Sequence, residues 1–169
     1  MNAEAFRHFF GYHFAENRKL WDTHITALSH DLFTQPAKYS HGSVHNQIVH
    51  LMEVDDIWFS ELQGIEPLEP ISITDFDNLD LLRNHWDRIE QNMRGYLAAL
   101  KDEMLFDKPI TEPEEDKDLL VWQVLLHVVN HGTDHRAQIL RLLNELGVKT
   151  TSQDYIFYAY ENMVLGPGD

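Results

Sequence analysis

The chain of 169 residues carries 28 acidic and 13 basic side chains, which gives a formal charge of −15. A field of that sign repels phosphate backbones and anionic membrane surfaces, so neither nucleic acid nor a membrane is an expected partner. The absence of cysteine excludes disulfides, cysteine-ligated zinc and cysteine nucleophiles. Since neither a signal peptide nor an apolar run of membrane-spanning length is recognisable, we expect one cytoplasmic domain over residues 1–169.

Four long amphipathic helices are predicted along the chain. Apolar residues recur at steps of three and four over residues 3–28, 43–62, 79–100 and 119–147. This pattern, with little strand signal, predicts an all-α four-helix bundle. Ser43 is the expected N-cap of the second helix, and glycines 64 and 147 are the expected ends of the second and fourth helices.

The connections between these helices are long, which leaves room for crossovers in place of simple up-down-up-down winding. A loop is predicted around residues 33–42, and a proline-rich connection that no helix can cross is predicted over residues 64–78. The acidic stretch after the third helix contains two prolines and predicts a short extended piece near residues 105–110. Residues 152–164 predict a short fifth helix.

The fourth helix carries His127, His131 and His135 at strict four-residue intervals. His131 and His135 fall on the apolar seam that a bundle helix turns towards its core, between Val128 and Ile139. Two imidazoles one turn apart can bind one metal ion together, as the two histidines of a helical H-E-x-x-H motif do. The alternative is a pair of core histidines satisfied by hydrogen bonds, because unpaired buried imidazoles are costly.

A metal site needs a third ligand from elsewhere in the chain. His50, in the middle of the second helix, is the first candidate, and His13, His24 and His127 are rivals that can equally be hydrogen-bonded core or rim residues. Asn17 lies on the inner stripe of the first helix and is a candidate for supporting a ligand.

Three further residues near these candidates have simpler expected roles. Gly132 would let a neighbouring helix or a ligand come close to the histidine pair. His41 and His45 flank the Ser43 cap, and we expect both at the surface.

Other metal and nucleotide chemistries lack their motifs. No E-x-x-H occurs, which argues against a ferritin-like di-iron site. An H-E-x-x-H motif is absent as well, since the acidic residue beside the pair is Asp134. Neither a P-loop nor a G-x-G-x-x-G motif is present.

Four segments carry a resemblance to a known family: YHFAENRKL, GSVHNQIVHLMEVDDIWF, LLHVVNHGTDHRAQI and the closing LGVKTTSQDYIFYAY. In these segments the chain resembles the DinB-like (YfiT-like) metalloenzyme family across nearly its whole length. The resemblance implies a four-helix bundle and a divalent metal bound by three histidines, which fall on His50, His131 and His135. Ala137 stands where the family usually has a glycine, which predicts slightly wider packing just beyond His135.

A metal held by three imidazoles keeps open coordination positions, which is typical of catalytic sites. Zinc, nickel or iron(II) is the expected ion, since imidazole suits all three. The ion can activate a water for hydrolysis or deprotonate an external low-molecular-weight thiol, and some members of the resembling family are thiol-dependent transferases. We therefore expect a metal-dependent transferase or hydrolase that acts on a small molecule.

Two non-catalytic alternatives stay open: a metal-binding stress-response or interaction module, and a bundle whose histidine cluster holds no ion. A pocket beside the metal lined by Trp58 or Tyr12 would favour an enzyme, whereas a closed coordination sphere would favour the module. The resemblance also allows a homodimer, although the sequence itself shows no interface.

Overall fold

Helices make up the regular structure of the chain. The computed structural model describes residues 2–71 and 78–162, and no strand occurs among them. The helices are α1 (Ala3–Leu20), α2 (His30–Thr34), α3 (Val44–Gln63), α4 (Leu79–Ala99), α5 (Val121–Glu145) and α6 (Tyr155–Glu161). The all-α prediction is confirmed, and α6 is the predicted fifth helix, whose last two predicted residues lie outside the described ones. No helix in the described part of the chain is both long and apolar enough to cross a membrane.

The four long helices pack so that consecutive helices are not always neighbours. The main contacts of α3 are with α4 and α5, and α1 also packs against α4 and α5. The helices α1 and α3 therefore face each other across one diagonal of the bundle, and α4 and α5 face each other across the other. The chain crosses the bundle before α3 and again before α5, so two of the long connections are crossovers.

A single hydrophobic cluster fills the space between the helices. Each of the four long helices contributes side chains that are almost fully buried: Phe6, Phe10, Ile48, Phe59, Trp86, Met93, Leu125, Val128 and Ile139. Phe10 and Phe59 meet edge to face across the diagonal, with ring centroids 5.3 Å apart. The core thus fixes how α1, α3 and α5 are rotated about their axes, and this rotation decides which polar residues they turn towards each other.

Helix caps agree with the predicted boundaries of α3 and α5. The Oγ of Ser43 accepts a hydrogen bond from the N–H of Asn46 at 3.0 Å, which satisfies one of the free donors at the start of α3. Gly64 and Gly147, just after the ends of α3 and α5, have φ values of 63° and 82°. This left-handed backbone ends helices and favours glycine.

Three predicted segments differ from the structure. Regular α-helix in the first segment ends at Leu20, and a π-helical turn, Trp21–Ile25, follows because Trp21 and Ile25 are both drawn into the core. The first two residues of the predicted loop are the last two of the short helix α2, whose N-cap is Ser29. A 3₁₀ turn, Asp102–Phe106, follows α4 and takes up the first two residues of the predicted extended piece; the side chain of Asp102 accepts a hydrogen bond from the N–H of Ala3 at 2.8 Å.

Gly132 lies where α5 packs directly against the side chain of His13 in α1. A Cβ built on Gly132 would lie 2.4 Å from Cε1 and 2.5 Å from Nδ1 of His13, closer than real side chains approach. The residue therefore lets the neighbouring helix approach, as its sequence position predicted.

We expect Gly132→Ala to destabilise the protein by about 1–3 kcal/mol through overpacking, even though alanine is the better helix former by about 1 kcal/mol. Urea denaturation followed by circular dichroism measures the change. Gly95→Ala in α4 is the matched control: nothing lies within 4 Å of its added Cβ, so only the gain in helix propensity applies. A Gly132→Ala variant as stable as Gly95→Ala would contradict the close contact.

Candidate metal centre

Imidazoles from α3 and α5 meet at the interface between these two helices. The Nε2 atoms of His50 and His131 lie 3.1 Å apart. The ring centroid of His135 lies 4.2 Å from that of His131 and 4.6 Å from that of His50. The three residues singled out from the sequence are thus brought together, because one turn of α5 places both of its histidines opposite the middle of α3.

His41 adds a fourth imidazole to this cluster. It lies in the loop before α3, and its ring stacks on His50 with centroids 3.8 Å apart and planes inclined by 20°. One nitrogen each from His41, His50 and His135 all lie within 4.8 Å of one another. These three residues are therefore close enough to bind a metal, and His131 joins the same cluster through its contact with His50.

The expected surface position is confirmed for His41 and is wrong for His45. His41 is exposed, yet its ring belongs to the cluster. His45 is only 3% exposed and packs against Phe33, with ring centroids 5.2 Å apart. The error for His45 arises because Phe33 of α2 covers the first turn of α3, and the sequence did not predict a helix there.

The protonation of the cluster suits metal ligation. Burial, with the neighbouring His41 and His135, lowers the pKa of His50 to about 4. Burial, with the neighbouring His135 and His50, lowers the pKa of His131 to about 3. The pKa of His135 is also lowered, by burial and by His41. At neutral pH these imidazoles are uncharged and offer the lone pairs that a cation needs.

The distances within the cluster also suit an ion. Two nitrogens that are each about 2.0–2.1 Å from a tetrahedral ion lie about 3.3 Å apart, close to the 3.1 Å between His50 and His131. The Nδ1–H of His135 donates to the Oε1 of Gln47 at 3.4 Å, which leaves Nε2 to face the cluster. Such support from a neighbouring side chain is usual for metal-bound histidine. The residues present therefore fit a divalent ion.

The rival histidines lie outside the group of candidate ligand atoms. His13 is fully buried and hydrogen-bonded to Asp55 at 3.0 Å. His24 bonds Thr151 at 3.3 Å, and His127 packs its ring against Trp58 with centroids 5.2 Å apart. For these residues the interpretation as ordinary core or rim histidines is the better one.

A buried polar network lies directly behind the histidine pair, between α1, α3 and α5. Arg136, which is 1% exposed, donates from Nη1 to Oδ1 of Asn17 at 2.8 Å and to Nδ1 of His13 at 3.3 Å. Because a guanidinium can only donate, His13 accepts at Nδ1 and its Nε2–H donates to the Asp55 carboxylate. His13 thus links the buried cation to a buried anion.

The surroundings of Arg136 and Asn17 define their roles in this network. Burial lowers the pKa of Arg136, while the negative charges of Asp55 and Glu16 oppose that shift. Asn17, considered from the sequence as support for a ligand, accepts a hydrogen bond from Arg136 through its Oδ1 instead. Asn17 thus helps to hold α5 in its orientation through Arg136 and does not contact a candidate ligand through this bond.

The comparison with known proteins agrees with this fold. The sequence matches the DinB family over residues 1–166. The chain belongs to the DinB family. It is also similar to Protein DinB of Bacillus subtilis (strain 168), with 21% identity over 146 residues that cover 80% of this chain and 83% of that protein. The family match spans all four long helices and every histidine of the cluster, so the resemblance to the DinB family is confirmed.

We expect Arg136→Met to destabilise the protein by about 3–5 kcal/mol, because it leaves the buried Asp55 without a compensating cation. Equilibrium urea denaturation measures the loss. Arg141→Met is the matched control on the same helix: its guanidinium is exposed and pairs with Glu145 at 3.0 Å, so the change should stay within about 0.5 kcal/mol. Equal stability of the two variants would show that the buried network does not hold α5 in place.

Proposed function

We propose that this chain is a divalent-metal-dependent enzyme, a thiol-cofactor-dependent transferase or a hydrolase, that binds its ion through His50, His131 and His135. The observation that carries the proposal is the meeting of these neutral imidazoles, with two Nε2 atoms 3.1 Å apart. Membership of the DinB family supports a metal site at this place, as does the overlapping group of His41, His50 and His135, which is compact enough for an ion.

The ligand set favours catalysis over a purely structural role. The candidate group found among the described residues contains histidines and no carboxylate, so no anionic ligand reduces the charge of a bound cation. Such an ion would supply Lewis acidity, lowering the pKa of a water or a thiol that reaches it. Because the sequence contains no cysteine, any reacting thiol comes from another molecule.

The surroundings of the cluster suit a small substrate. His50 and His131 are half-buried and His41 is exposed, which places the cluster at the rim of the bundle. The net charge of −15 disfavours polyanions such as nucleic acids. A neutral or cationic small molecule meets less electrostatic resistance.

One observation favours a second candidate function, a non-catalytic metal-binding module. With His41 as a fourth ligand, the imidazoles would fill all four positions of a tetrahedral ion and leave none for a substrate. The two functions therefore differ in whether another molecule reaches the ion.

We expect about one zinc, nickel or iron ion per chain in untagged protein by elemental mass spectrometry, after supplementation if necessary. His50→Ala, His131→Ala and His135→Ala should each lose most of the ion, because two imidazoles hold a metal much more weakly than three. His127→Ala, next to the cluster but outside the ligand group, is the control and should retain it. Absence of metal from the wild type, or full retention in His50→Ala, would overturn the assignment.

The metal-loaded protein then separates the enzyme from the module. We expect turnover of small electrophiles with added 2-mercaptoethanol or glutathione, or hydrolysis of activated esters without a thiol, and loss of either activity in His50→Ala. A loaded protein with one ion per chain and no turnover in both assays would favour the module.

A further inference from the structure

The loop that carries His41 has a defined conformation. The N–H of Gly42 donates to the carbonyl of Tyr39 at 3.0 Å, and the side-chain amide of Asn46 donates to the carbonyl of His41 at 3.0 Å. Ser40 and Gly42 have positive φ values of 48° and 90°. These features turn the chain back towards α3 and direct the His41 imidazole over His50.

His41 differs from the other imidazoles in how it is held. His50, His131 and His135 project from long helices that are packed in the core. His41 projects from a loop and is exposed, so its ring can move with little disturbance of the core. The cluster thus combines three fixed donors with one adjustable donor.

The position of the adjustable ring is the significant feature. The centroid of the His41 ring lies 3.8 Å from that of His50 and 5.3 Å from that of His135. One nitrogen of His41 also lies within 4.8 Å of a nitrogen of His50 and of a nitrogen of His135. Ligand atoms on one tetrahedral ion are about 3.3 Å apart. To bind the ion, the exposed side chain of His41 would rotate until its nitrogen comes into that range.

We propose that His41 is a fourth, exchangeable metal ligand, which occupies the coordination position that an external thiol or water must take. The proposal rests on the three-histidine function proposed above. It reconciles the two candidate functions, since the site is closed when His41 is bound and open when His41 leaves. An entering thiol would release its proton to solvent as the neutral imidazole departs.

Cobalt(II) substitution tests the proposal without an activity assay. We expect His41→Ala to bind cobalt at least about tenfold more weakly in competition with a chelator, since even the loss of a residue that only supports a ligand costs that much. Its visible absorption should also change, because one nitrogen donor is lost. Binding of 2-mercaptoethanol to the cobalt protein, followed by the cobalt–sulfur absorption, should become tighter, since the competing imidazole is gone.

Two further variants make the result specific. His41→Gln keeps bulk over His50 but lacks the imidazole donor, so it should behave like His41→Ala. His127 lies one turn of α5 before His131, with ring centroids 5.7 Å apart, and His127→Ala should behave like the wild type. Opposite shifts in cobalt and thiol affinity distinguish a ligand from a residue that only stabilises the loop.

The outcomes separate this proposal from the function on which it rests. If the wild type binds cobalt, His50→Ala loses it and His41→Ala matches the wild type in affinity, spectrum and thiol binding, then His41 is not a ligand and the three-histidine site stands. The same conclusion follows if His41→Gln matches the wild type. If the wild type binds no cobalt, both proposals fail together.

Discussion

The buried guanidinium of Arg136 is the constraint on which the arrangement of the site depends. A cation at this depth is tolerated only when its donors are satisfied, and here Asn17 and His13 of α1 and Gln153 after α5 accept from it. Gly132, one turn earlier, removes the side chain that would hold α1 away. Together they fix α5 against α1 in one rotation.

That rotation turns the other inward face of α5 towards α3. His131 and His135 then meet His50, with ring centroids 5.1 Å and 4.6 Å from the His50 ring. The candidate metal ligands and the polar network occupy adjacent faces of α5. Thr133, which lies between the two histidines in the sequence, accepts a hydrogen bond from Arg136. Stability and ligand placement are thereby coupled through α5, although different side chains provide them.

The sequence predicts the long helices and much of the cluster because both depend on local periodicity. The apolar seam indicates that His131 and His135 point inwards, and the family resemblance selects His50. Periodicity does not predict the role of His41, because its position depends on a loop turned by positive φ at Ser40 and Gly42. The sequence does not predict the burial of Arg136 for another reason. The helix α5 has two buried faces, and a charged residue outside the apolar seam is expected to be exposed.

The order of helices in the bundle has a consequence for folding. His50 and His131 are 81 residues apart in the chain and belong to helices joined through two connections and a third helix. An ion shared by these two histidines would close that long loop. Closing the loop costs conformational entropy, and the contacts that offset this cost form only when α5 docks. A chain in which α5 has not yet been synthesised lacks two of the three proposed ligands and would not bind the ion. Metal binding would therefore occur only once α5 is in place, and by mass action it would stabilise the folded state.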